Sequence, residues 1–255
     1  MKIRVLGCHG GELPQHRTTC FLLDGKLCID GGSITSVLTL EEILQLDDIL
    51  LTHSHFDHVK DIPLMTDLLV GKREKPVLVH GPDETLECLG TDVFNNRLWP
   101  DFRVIPTKEA PVIAFERVPI REPFQLQGMK VRAIPVHHPV YSVGYILETT
   151  SSGAIAFSGD TGPTEELWQA INATPDVRAV FVELSFPNSM QWLADLSGHL
   201  TPRTLMAELE KLDRRGARIY LYHLKPSVSA EVKSEIAALG KDYLQVCELD
   251  DVYSI

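Results

Sequence analysis

Short apolar runs bounded by turn residues alternate with amphipathic stretches along the chain, the pattern of strands interleaved with helices. Runs of β type cover Lys2 to Leu6, Thr19 to Leu23, Leu27 to Ile29, Asp48 to Leu51 and Val77 to Val79, with helical patterns at Leu40 to Leu46 and His58 to Leu69. A second series begins with β-rich stretches at Ile113 to Val118, Phe124 to Leu126, Met129 to Val136, Gly144 to Glu148 and Ala154 to Phe157. It continues as helix Thr164 to Ile171, strand Ala179 to Glu183, helix Pro202 to Leu212, strand Arg218 to Tyr222 and helix Ser229 to Leu239, and ends in β-runs at Leu244 to Val246 and Val252 to Ser254. Two comparable halves, each with strands first and helices after, predict an α/β fold of two facing sheets with helices outside. The seam is expected near Pro106 to Pro119. A doubly wound parallel sheet is the rival arrangement, but hairpin-like spacing around Gly25 and Gly128 favours antiparallel pairing in each half.

Composition narrows this picture. The 255 residues are 44% hydrophobic and 23% charged, ordinary globular usage, and no repeat or Gly/Ser linker interrupts them, so residues 1–255 read as one domain. No apolar run approaches the roughly 18 residues of a membrane span, and Lys2 and Arg4 are followed by no signal-like apolar stretch. The five cysteines (Cys8, Cys20, Cys28, Cys88 and Cys247) form no C-x-x-C pair and fit a reducing cytoplasm. Lys plus Arg number 24 against 35 for Asp plus Glu, a formal charge of −11 and the wrong sign for binding a long nucleic acid. A small anionic substrate stays compatible where a metal supplies the local positive charge.

The richest chemistry lies in Asp48 to Asp61, DILLTHSHFDHVKD, where a strand of buried type runs straight into a polar loop. His53 and His55 can reach one ion while Asp57 and His58, a turn later, reach a second beside it. A solvated, histidine-rich turn is the bland alternative. Further ligand types follow at the ends of predicted strands: His138 beside His137, Asp160 in FSGDTGP, His223 in YLYHLKP, and Asp30 in LCIDGG. Polar ligands recurring at strand carboxyl ends are what an active site on one rim of a sheet requires.

HSHFDH, followed by a strand-end histidine, an SGD aspartate and a final strand-end histidine, resembles the metallo-β-lactamase superfamily, with the likeness running from LGCHGG to HLKP. The resemblance implies an αββα sandwich of two mixed sheets. It also implies that His53, His55 and His138 hold one metal, that Asp57, His58 and His223 hold the other, and that Asp160 bridges them. Asp30 would orient a ligand from behind. His138 is chosen over His137 because its spacing to Gly144-Tyr145 resembles the phosphodiesterase members. His and Asp ligands suit zinc first, with manganese or iron as alternatives.

Within the superfamily, His55 stands where flavodiiron-type proteins carry a carboxylate, and Val59 and Lys60 stand where glyoxalase-like thioesterases carry glycines. A true β-lactamase is usually exported and usually departs from His58. FVELSFPN, SGHLTP and YLYHLKP, with THSHFDHVKDIP and LGCHGG, resemble class II 3′,5′-cyclic-nucleotide phosphodiesterases. Ribonuclease Z shares the positions of Glu183, His199 and His223, but only 21 residues separate His138 from Asp160, with no room for its tRNA-clasping arm.

The resemblance thus implies a dinuclear phosphodiesterase that converts cyclic AMP or cyclic GMP to a 5′-monophosphate, with a homodimer as the expected assembly. Ions about 3.5–4 Å apart would hold an activated hydroxide and neutralise phosphate oxygens. His199 is the candidate general acid, Glu183 its orienting partner, and Asp57 is counted with both the catalytic and the metal set. An ordinary helix-start residue before Thr201-Pro202 is the alternative for His199. Weaker substrate contacts are His9, Lys225 and Phe186, and Tyr141, Trp99 and Trp192 are base-stacking candidates by type alone. His16 and His80 read as structural. A ribonuclease Z-like hydrolase of linear or cyclic oligonucleotides, and a metal- or nucleotide-sensing module without catalysis, are the competing functions.

Overall fold

The computed structural model describes residues 1–149, 153–213 and 216–255. In chain order the first half contains β1 (Lys2–Gly7), β2 (Cys20–Leu23), β3 (Leu27–Ile29), α1 (Leu40–Ile43), β4 (Asp48–Leu50), α2 (Phe56–Val59), α3 (Asp61–Leu69), β5 (Val77–Gly81), α4 (Asp83–Cys88) and β6 (Ile113–Arg117). The second contains β7 (Pro123–Leu126), β8 (Met129–Val136), β9 (Ser142–Glu148), β10 (Ala154–Phe157), α5 (Glu166–Asn172), β11 (Val177–Glu183), α6 (Gln191–Ser197), α7 (Pro202–Leu209), β12 (Arg218–Tyr222), α8 (Ser229–Ala238), β13 (Leu244–Val246) and β14 (Val252–Ser254).

Alternation along each strand separates the interior into three cores. Phe21, Leu23, Leu27, Ile29 and Leu50 face Tyr145, Ile155, Phe157, Phe181 and Tyr222 in the layer between the sheets. The intervening residues Cys20, Leu22, Cys28, Ile49 and Leu51 turn the other way, onto Ile43, Ile62, Met65 and Leu86 of α1, α3 and α4. In the second sheet Ile146, Ala156, Ile219 and Leu221 likewise turn outward onto Leu167, Trp168, Leu205 and Val232 of α5, α7 and α8. A period of two with both faces apolar is what a sheet buried on both sides requires. The result is the αββα sandwich, with Phe21 of one sheet wedged among Phe157, Phe181 and Tyr222 of the other at ring separations of 5.2, 5.4 and 5.3 Å.

Each sheet has seven strands, in the orders β14-β1-β2-β3-β4-β5-β6 and β13-β12-β11-β10-β9-β8-β7. Antiparallel pairing joins β1, β2 and β3 in one sheet and β7, β8, β9 and β10 in the other. Parallel pairing carries on from β3 through β6 and from β10 through β13. The expected hairpin at Gly128 is a two-residue turn with Gln127 and Gly128 both left-handed (φ 49° and 74°), the geometry that matches strand twist.

The structure corrects the sequence reading in five places. The run expected to open the second series, Ile113 to Val118, is β6, which pairs parallel with β5 and ends the first sheet. The final run does not stay with the second half: β14 pairs antiparallel with β1 and covers the open edge of the first sheet. The single helix expected over His58–Leu69 starts earlier, at Phe56, and is divided at Lys60, because Pro63 has no N–H to offer the carbonyl of Val59. Helix α4 was not expected, nor was α6, whose Trp192 and Leu196 face solvent while Ala194 alone is buried, which leaves no apolar stripe to read. No helix among the described residues is long and apolar enough to cross a membrane.

Candidate metal centre

Parallel strands end on one rim, and the chain leaves β3, β4, β10, β11 and β12 there at Asp30, His53, Asp160, Glu183 and His223. His138 arrives on the same rim two residues beyond β8. Two groups of ligand-type atoms converge, His53, His55, His138 and Asp160 in one and Asp57, His58 and His223 in the other, with His199 close to Asp160 and His223. Asp160 lies at the middle: its Oδ2 is 3.7 Å from His53 Nε2, 3.3 Å from His58 Nε2 and 3.1 Å from His223 Nε2. Asp57 Oδ2 is 3.2 Å from His223 Nε2, and His55 Nδ1 is 3.1 Å from His138 Nε2. All the residues predicted as ligands are therefore brought together. His137 is not among them.

The far nitrogen of most of these imidazoles is held from behind. His58 Nδ1 meets Asp30 Oδ2 at 2.7 Å, and His138 Nδ1 meets the Gly198 carbonyl at 3.0 Å. His53 Nδ1 meets the Thr52 hydroxyl at 3.0 Å, and that hydroxyl donates to Asp30 at 2.9 Å. His223 Nδ1 meets the Ser185 hydroxyl at 2.9 Å. Carbonyls and carboxylates only accept, so His58 and His138 carry a proton on the outer nitrogen, and each ring that is neutral in this arrangement can turn its inner nitrogen's lone pair to the cluster. Backbone geometry supports this placement: Asp30 and His223 are both left-handed, at φ 58° and 71°, the latter a strain of about 1–3 kcal/mol for such a residue. Gly198, at φ 64°, lets its carbonyl come under His138, and a Cβ there would lie 2.8 Å from Pro139 Cδ.

Electrostatics favours a cation at this point. Burial pushes the pKa of His53 well below the usual range, that of His138 down to about 4 and that of His223 down to about 3, so these rings are neutral lone-pair donors. Burial opposes the charge on Asp160, but His223 and His58 outweigh it and keep its carboxyl far below the usual range. Burial also opposes charge on His58, and there Asp160 and Asp30 prevail and raise its pKa well above that of an ordinary histidine. A divalent ion would replace that proton. Two buried atoms, His53 Nε2 and Asp160 Oδ1, have no hydrogen-bond partner among the described residues, which a metal would satisfy. The donor set, imidazole nitrogens and carboxylate oxygens, suits zinc-like ions.

Beside the cluster, Glu183 Oε1 accepts the Leu200 N–H at 2.9 Å and faces His199 Nδ1 at 3.3 Å. Burial raises the Glu183 pKa; it works against charge on His199, but the adjacent Glu183 raises that histidine's pKa overall. Lys225 Nζ reaches to 3.9 Å from Asp57 Oδ2 at the rim. Other expected substrate contacts fall differently. His9 meets His16 edge-on at 4.6 Å instead of facing the cluster, because its loop is tied to Arg17 and Leu224 by backbone hydrogen bonds. Phe186 is 8% exposed and packs 5.8 Å from the His199 ring, so it covers the histidine and has no open face for a base. Trp99 packs onto the first outer core. Trp192 and Tyr141 are exposed. Sequence reasoning passed over the roles of Thr52, Ser185 and Gly198; Thr52 lies directly before His53, and Ser185 and Gly198 lie within FVELSFPN and SGHLTP, but the contacts they make appear only in the fold.

The profile of the beta-lactamase superfamily domain matches residues 34–224. The chain belongs to this family. Within the superfamily, its curated relatives include a probable 3′,5′-cyclic-nucleotide phosphodiesterase of Yersinia pestis, 23% identical over 71% of this chain and 58% of the relative. An uncharacterized protein of Mycobacterium tuberculosis is 27% identical over 97% of this chain and 90% of its own length. Among solved structures, unliganded yeast PDE1 superimposes with a TM-score of 0.83 at 19% identity, covering 100% of this chain and 99% of that one. At that identity the superposition establishes the fold. The chain's match spans little more than half of the Yersinia relative.

Proposed function

We propose that this superfamily member is a metal-dependent phosphodiesterase that hydrolyses 3′,5′-cyclic nucleotides, cyclic AMP or cyclic GMP, to 5′-monophosphates. The observation that carries the reading is the convergence of the ligand set on Asp160 with the Glu183–His199 pair directly beside it. Relatives named as cyclic-nucleotide phosphodiesterases support the substrate class. His53, His55 and His138 would hold one divalent ion, Asp57, His58 and His223 the other, and Asp160 would bridge them, with zinc first and manganese or iron as alternatives. Such ions, when bound, supply positive charge for the phosphate and a water activated near neutral pH.

The chain's own groups complete the chemistry. Lys225 adds a cation at the rim, where a phosphate oxygen would arrive. His199, its Nδ1 turned to Glu183, has Nε2 left to carry a proton to the departing 3′ oxygen, and Glu183 holds the ring in that orientation. Phe186 shields this pair from bulk water. The same reading places the protein in a reducing cytoplasm as a homodimer, which light scattering would check.

A steady-state rate on cyclic AMP and cyclic GMP, with metal-quantified protein and chromatographic identification of the product, tests the proposal. A 5′-monophosphate formed with kcat/KM above about 10⁴ M⁻¹s⁻¹ is the expected result. No turnover of either nucleotide with metal bound would overturn the substrate and redirect the search to linear and cyclic oligonucleotides. Inertness toward bis(p-nitrophenyl) phosphate as well would favour a non-catalytic sensor.

A further inference from the structure

One buried hydroxyl links two features that the proposed chemistry treats separately. Ser185 is completely buried two residues past the end of β11, and its Oγ is 2.9 Å from Glu183 Oε2 and 2.9 Å from His223 Nδ1. Its backbone is fixed on both sides, the N–H donating to Leu200 O at 3.2 Å and the carbonyl accepting the Lys225 N–H at 3.2 Å. The same hydroxyl lies 3.4 Å from the His223 carbonyl, the longest of its three contacts. The Glu183 carboxylate already receives the Leu200 N–H and the His199 ring on Oε1, so Oε2 is the oxygen available to the serine.

We infer that Ser185, backed by Glu183, is the positioning residue for His223. As an ionised acceptor, Glu183 accepts the Ser185 hydroxyl's hydrogen bond; the Ser185 oxygen then accepts the His223 Nδ1–H, and Nε2, beside Asp57 and Asp160, would present its lone pair to an ion held between them. The same construction recurs in the first half, where His53 Nδ1 meets Thr52 Oγ1 and Thr52 donates to Asp30. One carboxylate thus holds both His199 and His223. A change at Glu183 would move the metal group and the proton donor together, while a change at Ser185 would reach the metal group first. His223 needs such a hold, because its left-handed backbone (φ 71°) would relax in the absence of tertiary restraint.

The inference rests on the reading of His223 as a metal ligand, and the test separates the two. Zinc affinity and stoichiometry are measured by competition with a chromophoric chelator for the intact chain and for Ser185→Ala, Ser185→Thr and His223→Ala, with circular dichroism as the check of fold. Ser185→Ala is expected to keep one ion at the original affinity and to bind the other about 10–100-fold more weakly, and Ser185→Thr to restore most of the loss. If Ser185→Ala binds both ions as the unaltered chain does while His223→Ala loses one, the inference fails and the ligand reading stands. If His223→Ala also binds both unchanged, both fail. Long-range ¹H–¹⁵N correlation on the unaltered zinc-loaded protein gives a check independent of any variant: the His223 ring proton must be on Nδ1, and a proton on Nε2 overturns the inference.

Discussion

Asp30 and Glu183 are two carboxylates of the same design, placed on opposite sheets and put to different ends. Each accepts one backbone N–H, from Thr52 at 2.8 Å and Leu200 at 2.9 Å. Each accepts one hydroxyl that in turn holds a ring, Thr52 under His53 and Ser185 under His223. Each also meets one imidazole directly, His58 at 2.7 Å and His199 at 3.3 Å. The difference lies in what those rings face. Both rings behind Asp30 point at Asp160, so in the proposed site this brace would serve metal binding alone. Behind Glu183 one ring points at Asp160 and the other belongs to the proposed proton donor, so its brace couples binding to chemistry. A shared carboxylate can therefore build either a rigid ligand pair or a ligand and an acid in fixed relation, depending on where its second imidazole is aimed.

The comparison is broken most severely by removing what both braces converge on. Asp160→Ala takes the central carboxylate from both groups, and the expected result is loss of metal from both with a fall in phosphodiesterase rate of at least about 10³-fold, roughly 4 kcal/mol. Elemental analysis with steady-state kinetics reads it; retention of both ions would remove Asp160 from the bridging position. Asp30→Asn comes next. It should weaken zinc binding about 10–100-fold, because it undercuts His58 directly and His53 through Thr52. Glu183→Gln should cost less in affinity and more in kcat, since of its two rings only His223 is proposed as a metal ligand. Equal splits between affinity and kcat in the two variants would show that the braces do not differ as their geometry says.

Much of this arrangement was legible before the fold was known, and the boundary is physical. Strands Leu27–Ile29, Met129–Val136, Ala154–Phe157 and Arg218–Tyr222 run over the expected residues, because apolar runs bounded by turn residues mark their extent. The contiguous segment His53 to His58 declared its ligand types through spacing alone. What stayed hidden depends on contacts distant in sequence: the Ser185 hydroxyl under a ring 38 positions away, the Gly198 carbonyl under His138, and the left-handed φ of Asp30 and His223. Helix α6 hid for the opposite reason, since its large apolar residues face water.

Gly198 gives a smaller and more local break. The residue closes α6 in the left-handed region and brings its carbonyl to His138, so Gly198→Ala must either strain at φ 64° or press Cβ against Pro139 and His138. A stability loss of about 1–2 kcal/mol is expected from the backbone conformation, read by denaturant unfolding. Weaker metal binding should be confined to the His53, His55 and His138 group. An unchanged midpoint would mean that the helix end can rearrange without cost.

The smallest effect should come from Thr52→Val, and it sharpens the contrast with Ser185. Removing the Thr52 hydroxyl deletes a hydrogen bond to the Asp30 carboxylate, about 1.5–3 kcal/mol, and one to the His53 ring, about 0.5–1.5 kcal/mol. Two restraints survive, however: the Thr52 N–H still reaches Asp30, and His53 follows in the chain at once, with no freedom to swing away. His223 has no such neighbour, since its brace comes from another strand end. Zinc affinity should therefore fall no more than about tenfold in Thr52→Val, with the fold intact. If the loss instead equals that of Ser185→Ala, covalent adjacency contributes nothing, and the hydroxyl alone sets the ring in both halves.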